Sequence, residues 1–428
     1  MNIYKFLGKS FNCKYCGQRH YVPIKKIITR ENAIFELSSF IKSLAIKCKN
    51  ILILCDNITY EVAGKTSEGI LRNDYKISTL ILKPINHKIV YADAAYFPLI
   101  KQKSSGKNLI ITVGSGSITD MGKFIGSETG IPVISVPTAP SMNAYTSGVA
   151  AFISRGVKLT FPVKPAIGVI IDTDIISDAP MDLIKAGFAD SLAKSFANAD
   201  WKISSILTGE KFCSLPLKIT TAAEKTYKDR SDRLLKRDKK VISSLMEGLN
   251  MGGFSMIIAG KSAPASGGEH LISHFLDMFS HKEGKEVFSY HGLQVGIGIV
   301  VSSIIYEMLR GIRNPVLKKI SYDNKIKEFF GTESKIIKKE FYRKIRHLKN
   351  IPRLWDEFHK VFSTVPSSEE IKIYLKKAGC PVRFSDIRVS KKLAQKSLMS
   401  ARYIRGRVTI LDIADELGIL KEVSEMIQ

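Results

Sequence analysis

Between residues 51 and 172 the chain repeats one pattern: a short run of consecutive apolar, mostly β-branched residues gives way to a longer amphipathic stretch. The runs fall at 51–55, 79–82, 109–113, 133–136 and 167–171. Strands that are apolar along their whole length have to be covered on both faces, the condition of a parallel sheet flanked by helices. Beyond Asp172 the texture changes. Long helical patterns carrying Ala and Gly take over from Pro180, and Pro264, Pro315, Pro352, Pro366 and Pro381 mark the loops. The pattern predicts an α/β fold, with a Rossmann-like parallel-sheet domain over residues 1–178 followed by an all-helical domain over 179–428. Asp178 is expected to cap the first helix of the second domain, with Pro180 in its first turn. The uncharged stretch 292–306 is shorter than the roughly 20 residues that span a bilayer, so it reads as a buried helix without membrane insertion.

Composition narrows the class. The 428 residues are 45% hydrophobic and 25% charged, which excludes disordered and fibrous chains and a single small module. Six cysteines, scattered apart from Cys13 and Cys16, make no disulfide framework and fit a reducing compartment. The first thirteen residues contain no apolar run of the secretory type, so a cytoplasmic location is expected. The net charge of +25 is spread over both halves, and its densest block, residues 310–349, sets thirteen basic residues against four acidic ones. Nucleic acid is not the expected partner, because the block lacks interleaved aromatics, zinc-finger spacing or an RNP-like motif. It reads as a solvated helix face, with some attraction for phosphorylated ligands.

Four motifs carry candidate chemistry. At the end of the third apolar run, Gly114-Ser115-Gly116-Ser117-Ile118-Thr119-Asp120 is a glycine-rich turn opening a helix, where backbone N–H groups can approach a phosphate. It matches neither the G-x-G-x-x-G fingerprint nor a P-loop. After the next run comes Pro137-Thr138-Ala139-Pro140-Ser141-Met142-Asn143, with hydroxyls and an amide at the carboxyl end of a parallel strand, where open α/β sheets place their ligand. The third motif, Ser266-Gly267-Gly268-Glu269-His270-x-x-x-His274, predicts a capping box from Ser266 to Glu269 and a helix with both His on one face. With His291, three of the eight His gather within 22 residues, and two imidazoles plus a carboxylate suit a divalent metal with an open position. Asp190 is the expected carboxylate, since it interrupts a small-residue helix face; the competing reading pairs it with Lys194 at i+4. The fourth motif, Cys13-x-x-Cys16-Gly17-x-x-His20, resembles half a zinc knuckle with three of the four ligands a closed site needs. Cys48 or Cys55 could supply the fourth; without one, the motif reads as plain reduced thiols.

These motifs, in this order over residues 51–298, resemble the sn-glycerol-1-phosphate dehydrogenases, a branch of the iron-containing alcohol dehydrogenase and dehydroquinate synthase-like superfamily. The resemblance implies a catalytic cleft between the two halves and a homo-oligomer, a dimer or larger. It implies that Gly114, Ser115, Gly116, Ser117 and Ile118 cradle the pyrophosphate of NAD or NADP, and that Asp56 faces the adenosine end. Thr138, Ala139, Pro140, Ser141 and Ser147 would line the cofactor. Asp190, His270 and His291 match metal ligands for Zn, Ni or Fe, and His274 and Asn143 match substrate contacts on the catalytic side. Most members carry Asp where Asn143 stands, and often Gly where Ser115 stands. Asn keeps the size and hydrogen bonding but cannot act as a base. The implied reaction interconverts dihydroxyacetone phosphate and sn-glycerol 1-phosphate, a step toward phospholipids. The alternatives are a related metal-dependent polyol or sugar-phosphate dehydrogenase, or a dehydroquinate synthase-like cyclase, which would carry extra Lys and Arg in the metal cleft.

Overall fold

The computed structural model describes residues 3–85 and 87–427. Among these the strands are β1 (Ser10–Asn12), β2 (Arg19–Tyr21), β3 (Lys26–Arg30), β4 (Asn50–Asp56), β5 (Lys76–Leu82), β6 (Leu109–Gly114), β7 (Val133–Pro137), β8 (Val149–Ser154), β9 (Val157–Pro162) and β10 (Gly168–Asp172). Six of them form one parallel sheet in the order β3-β10-β7-β6-β4-β5. Alternate residues serve opposite faces, as the pleat requires. Ile51, Ile53, Cys55, Ile111 and Ile134 pack into one core layer, while Leu52, Leu54 and Ile110 join a second, larger core shared with the helical half.

Five of the six sheet strands are the expected apolar runs. The sixth, β3, is an edge strand pairing only with β10, and its Lys26 and Arg30 give it the charged ends typical of an edge. Two antiparallel hairpins, β1-β2 and β8-β9, also lie outside the predicted pattern.

Among the described residues no strand follows β10. Four long helices, Met181–Thr208, Lys239–Ala259, Gly268–Lys282 and His291–Arg310, carry the centre of the second half. Glycine is required where they touch: a Cβ at Gly292 would strike the Ala186 carbonyl, and one at Gly298 the Glu269 carbonyl. The stretch expected to be too short for a membrane belongs to a helix that extends to Arg310. Both this helix and Lys239–Ala259 are long and apolar enough to cross a bilayer, yet 83% and 78% of their most apolar windows are buried inside the protein. Two helix-start expectations are corrected. Asp178 ends the short helix Thr173–Asp178, and Pro180 itself is the N-cap of Met181–Thr208. Ser266 is no cap either: Gly267 precedes Gly268–Lys282, and Glu269 Oε1 takes the Gly267 N–H at 2.6 Å.

Candidate active site and metal-ligand cluster

The chain passes from β4 outward to β5 and then back to β6 on the other side of β4, so the connections leave the carboxyl ends of β4 and β6 in opposite directions and open a crevice. A cleft of about 450 Å³ begins there, within the usual range of small-molecule sites. Asp56, Ser115, Gly116, Ser117, Thr138 and Ser141 line it from the sheet side, and His274 and His291 from the helical side. Ser115 precedes the helix Gly116–Thr129 without a side-chain cap bond, so the first N–H groups are free for an anionic ligand. Gly116 lets the Met142 side chain, from the loop after β7, pack directly over the turn, where a Cβ would meet its thioether. Asp56 is held in place by the Thr59 N–H at 2.7 Å.

The other cofactor candidates stand behind this surface and do not line the cleft. A Cβ on Gly114 would collide with Ile118, so these two shape the turn. Ala139 accepts the Tyr145 hydroxyl at 2.5 Å, and the Pro140 carbonyl packs against Gly187. Ser147 also serves a buried cation. The Lys123 ammonium donates to Ser147 Oγ at 2.8 Å and to the Ala144 and Val149 carbonyls at 2.7 Å, and pairs with Asp120 at 3.0 Å. A buried ammonium needs this full set of acceptors, and the Ser147 hydroxyl is one of them.

Asp190, His270 and His291 converge from three helices, with one ligand atom of each within 4.8 Å of the others. Asp190 Oδ1 lies 3.0 Å from His270 Nε2, while Oδ2 takes the Asn143 amide N–H at 2.5 Å and lies 3.5 Å from the Lys194 ammonium. The i+4 pair with Lys194 therefore coexists with the histidine contact. Burial by itself raises the Asp190 carboxyl, but Lys194, His270 and His291 outweigh it and hold it below the ordinary range. Burial lowers His270, and its bonds to Asp190 and Glu269 outweigh this and raise it.

The tautomer of each imidazole follows from its outer partner. His270 Nδ1 donates to Glu269 Oε1 at 2.8 Å, which leaves Nε2 facing Asp190. For His291 a longer chain decides. The Gln294 amide donates to Asp277 Oδ1 and to the Ser289 carbonyl, so its Oε1 accepts the Ser273 hydroxyl at 3.1 Å. The Ser273 oxygen is then left to accept the His291 Nδ1 proton at 2.8 Å, freeing the Nε2 lone pair. Outer bonds of this kind orient histidine ligands in metal sites, and two such imidazoles beside an ionised carboxylate fit a divalent cation. His274, stacked on His291 with ring centroids 5.5 Å apart, has no partner for Nδ1 among the described residues. Burial, with Lys158 and Arg405 nearby, keeps it neutral, well below the ordinary histidine value.

Sequence reasoning singled out the three central ligand candidates but missed the groups that orient them. Ser273 and Gln294 look like single polar interruptions of apolar helices. Lys158, on the β8-β9 hairpin, lines the cleft and pairs with Asp277 at 2.5 Å; nothing in its local pattern announces this.

The profile of the iron-containing alcohol dehydrogenase family matches residues 28–180. A glycerol-1-phosphate dehydrogenase (NAD(P)+) of Bacillus velezensis is 31% identical over 408 residues, 94% of each chain. One from Bacillus licheniformis is 28% identical over 98% of this chain and 96% of its own, and one from Pyrococcus horikoshii is 30% identical over 66% and 78%. In fold, the NADH-dependent butanol dehydrogenase A of Thermotoga maritima is similar with TM-score 0.61 at 13% identity, covering 94% of this chain and 97% of its own. The glycerol dehydrogenase of Schizosaccharomyces pombe gives 0.60 at 15%, covering 94% and 90%. With 31% identity to the Bacillus velezensis protein over 94% of each chain, this chain belongs to the glycerol-1-phosphate dehydrogenases of the iron-containing alcohol dehydrogenase family.

Proposed function

We propose that this chain catalyses the NAD(P)H-linked reduction of dihydroxyacetone phosphate to sn-glycerol 1-phosphate and the reverse oxidation. The observation that carries the reading is the convergence of Asp190, His270 and His291 beside the cleft that the glycine turn lines from the other side. Asp190, His270 and His291 would hold a divalent metal, with zinc, nickel and iron all suited to the donor set. Ser115, Gly116 and Ser117 would take the cofactor's pyrophosphate, Asp56 would face its adenosine end, and Thr138 and Ser141 would line the part toward the helical half. When bound, NAD(P)H would supply the hydride and the metal ion the Lewis acidity that polarises the ketone. His274, buried and neutral, offers Nδ1 to a substrate hydroxyl as a hydrogen-bonding partner that can pass its proton on. Lys158 is a cation lining the cleft and is the candidate phosphate contact. The enzyme would act in the cytoplasm, and as a dimer or larger.

A spectrophotometric assay of NADH and NADPH oxidation with dihydroxyacetone phosphate, with and without added Zn, Ni or Fe, tests the reading. Metal-dependent oxidation is expected, and its absence under every condition overturns the assignment. A second reading, reduction of a different small phosphorylated ketone or polyol, is favoured by Asn143. Its amide is spent on Asp190, and its Oδ1 has no partner among the described residues. Under the first reading Asn143→Asp does not raise turnover of dihydroxyacetone phosphate; a large rise supports the second.

A further inference from the structure

The knuckle-like motif near the N-terminus is not absorbed by the catalytic cleft. Neither cysteine expected to complete it does so: Cys55 is buried in β4 and Cys48 packs beside the same core layer. The fourth group comes from 200 residues away. Cys213, between the helices Met181–Thr208 and Leu215–Glu224, places its Sγ 3.7 Å from Cys13 Sγ, and Cys16 Sγ lies 3.2 Å from His20 Nε2. One ligand atom from each of Cys13, Cys16, His20 and Cys213 lies within 4.8 Å of all the others. We propose that these four residues form a closed structural zinc site that staples the N-terminal hairpin to the helical half.

The geometry and chemistry agree. In a tetrahedral site with Zn–S bonds of about 2.3 Å, ligand sulfurs sit roughly 3.8 Å apart, close to the Cys13–Cys213 separation. That separation is far beyond a disulfide bond of about 2.05 Å, and all six cysteines are free. Three thiols and one imidazole are the donor set of a closed zinc site and leave no position for a substrate. The backbone is built for it. Gly17 takes a left-handed φ of +69°, and the Gly17 N–H returns to the Cys13 carbonyl at 2.8 Å. This tight turn brings Cys16 back beside Cys13, and the β1-β2 register sets His20 opposite Phe11. Three thiolates and one Zn²⁺ carry a net negative charge, and Lys14, Arg19 and Lys211 flank the ligands in sequence.

The fold also gives the staple a purpose. Strands of three residues are too short for a hairpin stable by itself. This one is anchored by a small apolar cluster of Ile3, Phe11, Val22, Trp201 and Leu215, which includes Cys13 and Cys213. A metal bridge across the long loop from Cys13 to Cys213 closes a large piece of chain at once.

The experiment uses the full chain with His270→Ala, which removes a ligand from the cleft cluster, purified under reductant and loaded with cobalt(II). Expected are one tightly held equivalent, a thiolate-to-cobalt charge-transfer band in the near ultraviolet and tetrahedral d–d bands in the visible. Adding Cys16→Ser, a half-buried position that should tolerate the change, abolishes the charge-transfer band or sharply weakens it, whereas His20→Cys keeps it. A chain that takes up no thiolate-bound cobalt, a band unchanged by Cys16→Ser, or a Cys13–Cys213 disulfide found by mass spectrometry of alkylated protein overturns the proposal.

Discussion

The helix Met181–Thr208 connects two clusters of metal-binding side chains that are opposite in kind. Near its first third, Asp190 meets two imidazoles beside a wide cleft; just past its end, Cys213 meets two more thiols and His20. The eighteen residues from Asp190 to Thr208 separate them by about 27 Å of helix. The first cluster offers three ligands, orients them through outer hydrogen bonds and opens toward space that a substrate can enter. The second offers a full set of four, which leaves no position for a substrate. Ligand count and access, more than residue type, separate a site suited to chemistry from one suited to holding chain segments together.

The sharpest break in this comparison is His270→Ala. It should lower NAD(P)H oxidation by more than about 100-fold, beyond what loss of an outer partner costs, while the thiolate-cobalt signature of the other cluster persists. Loss of both would mean that the clusters depend on each other. Removing the outer support of the cleft site comes next: Ser273→Ala leaves His291 Nδ1 without its acceptor and should weaken metal affinity about 10- to 100-fold, read by competition with a chromogenic chelator. An unchanged affinity would show that the Gln294–Ser273 chain does not fix His291. A smaller effect is expected from Lys158→Met, a rise in KM for dihydroxyacetone phosphate of about tenfold with kcat little changed, because one charge-assisted contact is lost. A fall in kcat alone would place Lys158 elsewhere in the reaction.

How much of this was legible in the sequence differs between the two clusters for a physical reason. The sheet strands were readable because burial on both faces leaves uninterrupted apolar runs. His270, His274 and His291 were readable because helical spacing puts two on one face and the third opens the next apolar helix. The edge strand β3 and the hairpin carrying Lys158 left no such trace, since half-exposed strands mix charge into a short pattern. Cys213 was invisible because only the folded chain brings it back to Cys13. Ser147 shows the opposite case. A hydroxyl beside a ligand loop looks like a contact, and only the packing shows that Lys123 claims it.

The smallest expected effect concerns Asp200, ten residues along the helix from Asp190 toward Cys213. Its carboxylate accepts the Tyr306 hydroxyl at 2.6 Å and the N–H groups of Gly268 and Ile410 at 2.7 and 3.0 Å, so it anchors the start of the helix that carries His270. Burial, together with the Glu269 carboxylate, pushes it up from 3.8 to about 7. A native carboxyl that keeps its proton to higher pH than the unfolded one contributes stability that is fully present below pH 3.8 and is lost as the pH rises to about 7. Asp200→Asn keeps the shape of the neutral acid and cannot ionise. Between pH 4 and 7 the wild-type Tm should therefore fall relative to the variant by about 2 °C per pH unit, with no further divergence above that window. Parallel curves would show that Asp200 is ionised in the native state throughout, held as an anion by Tyr306 and the two backbone donors. The stretch of helix between the clusters would then carry a fixed charge through the core.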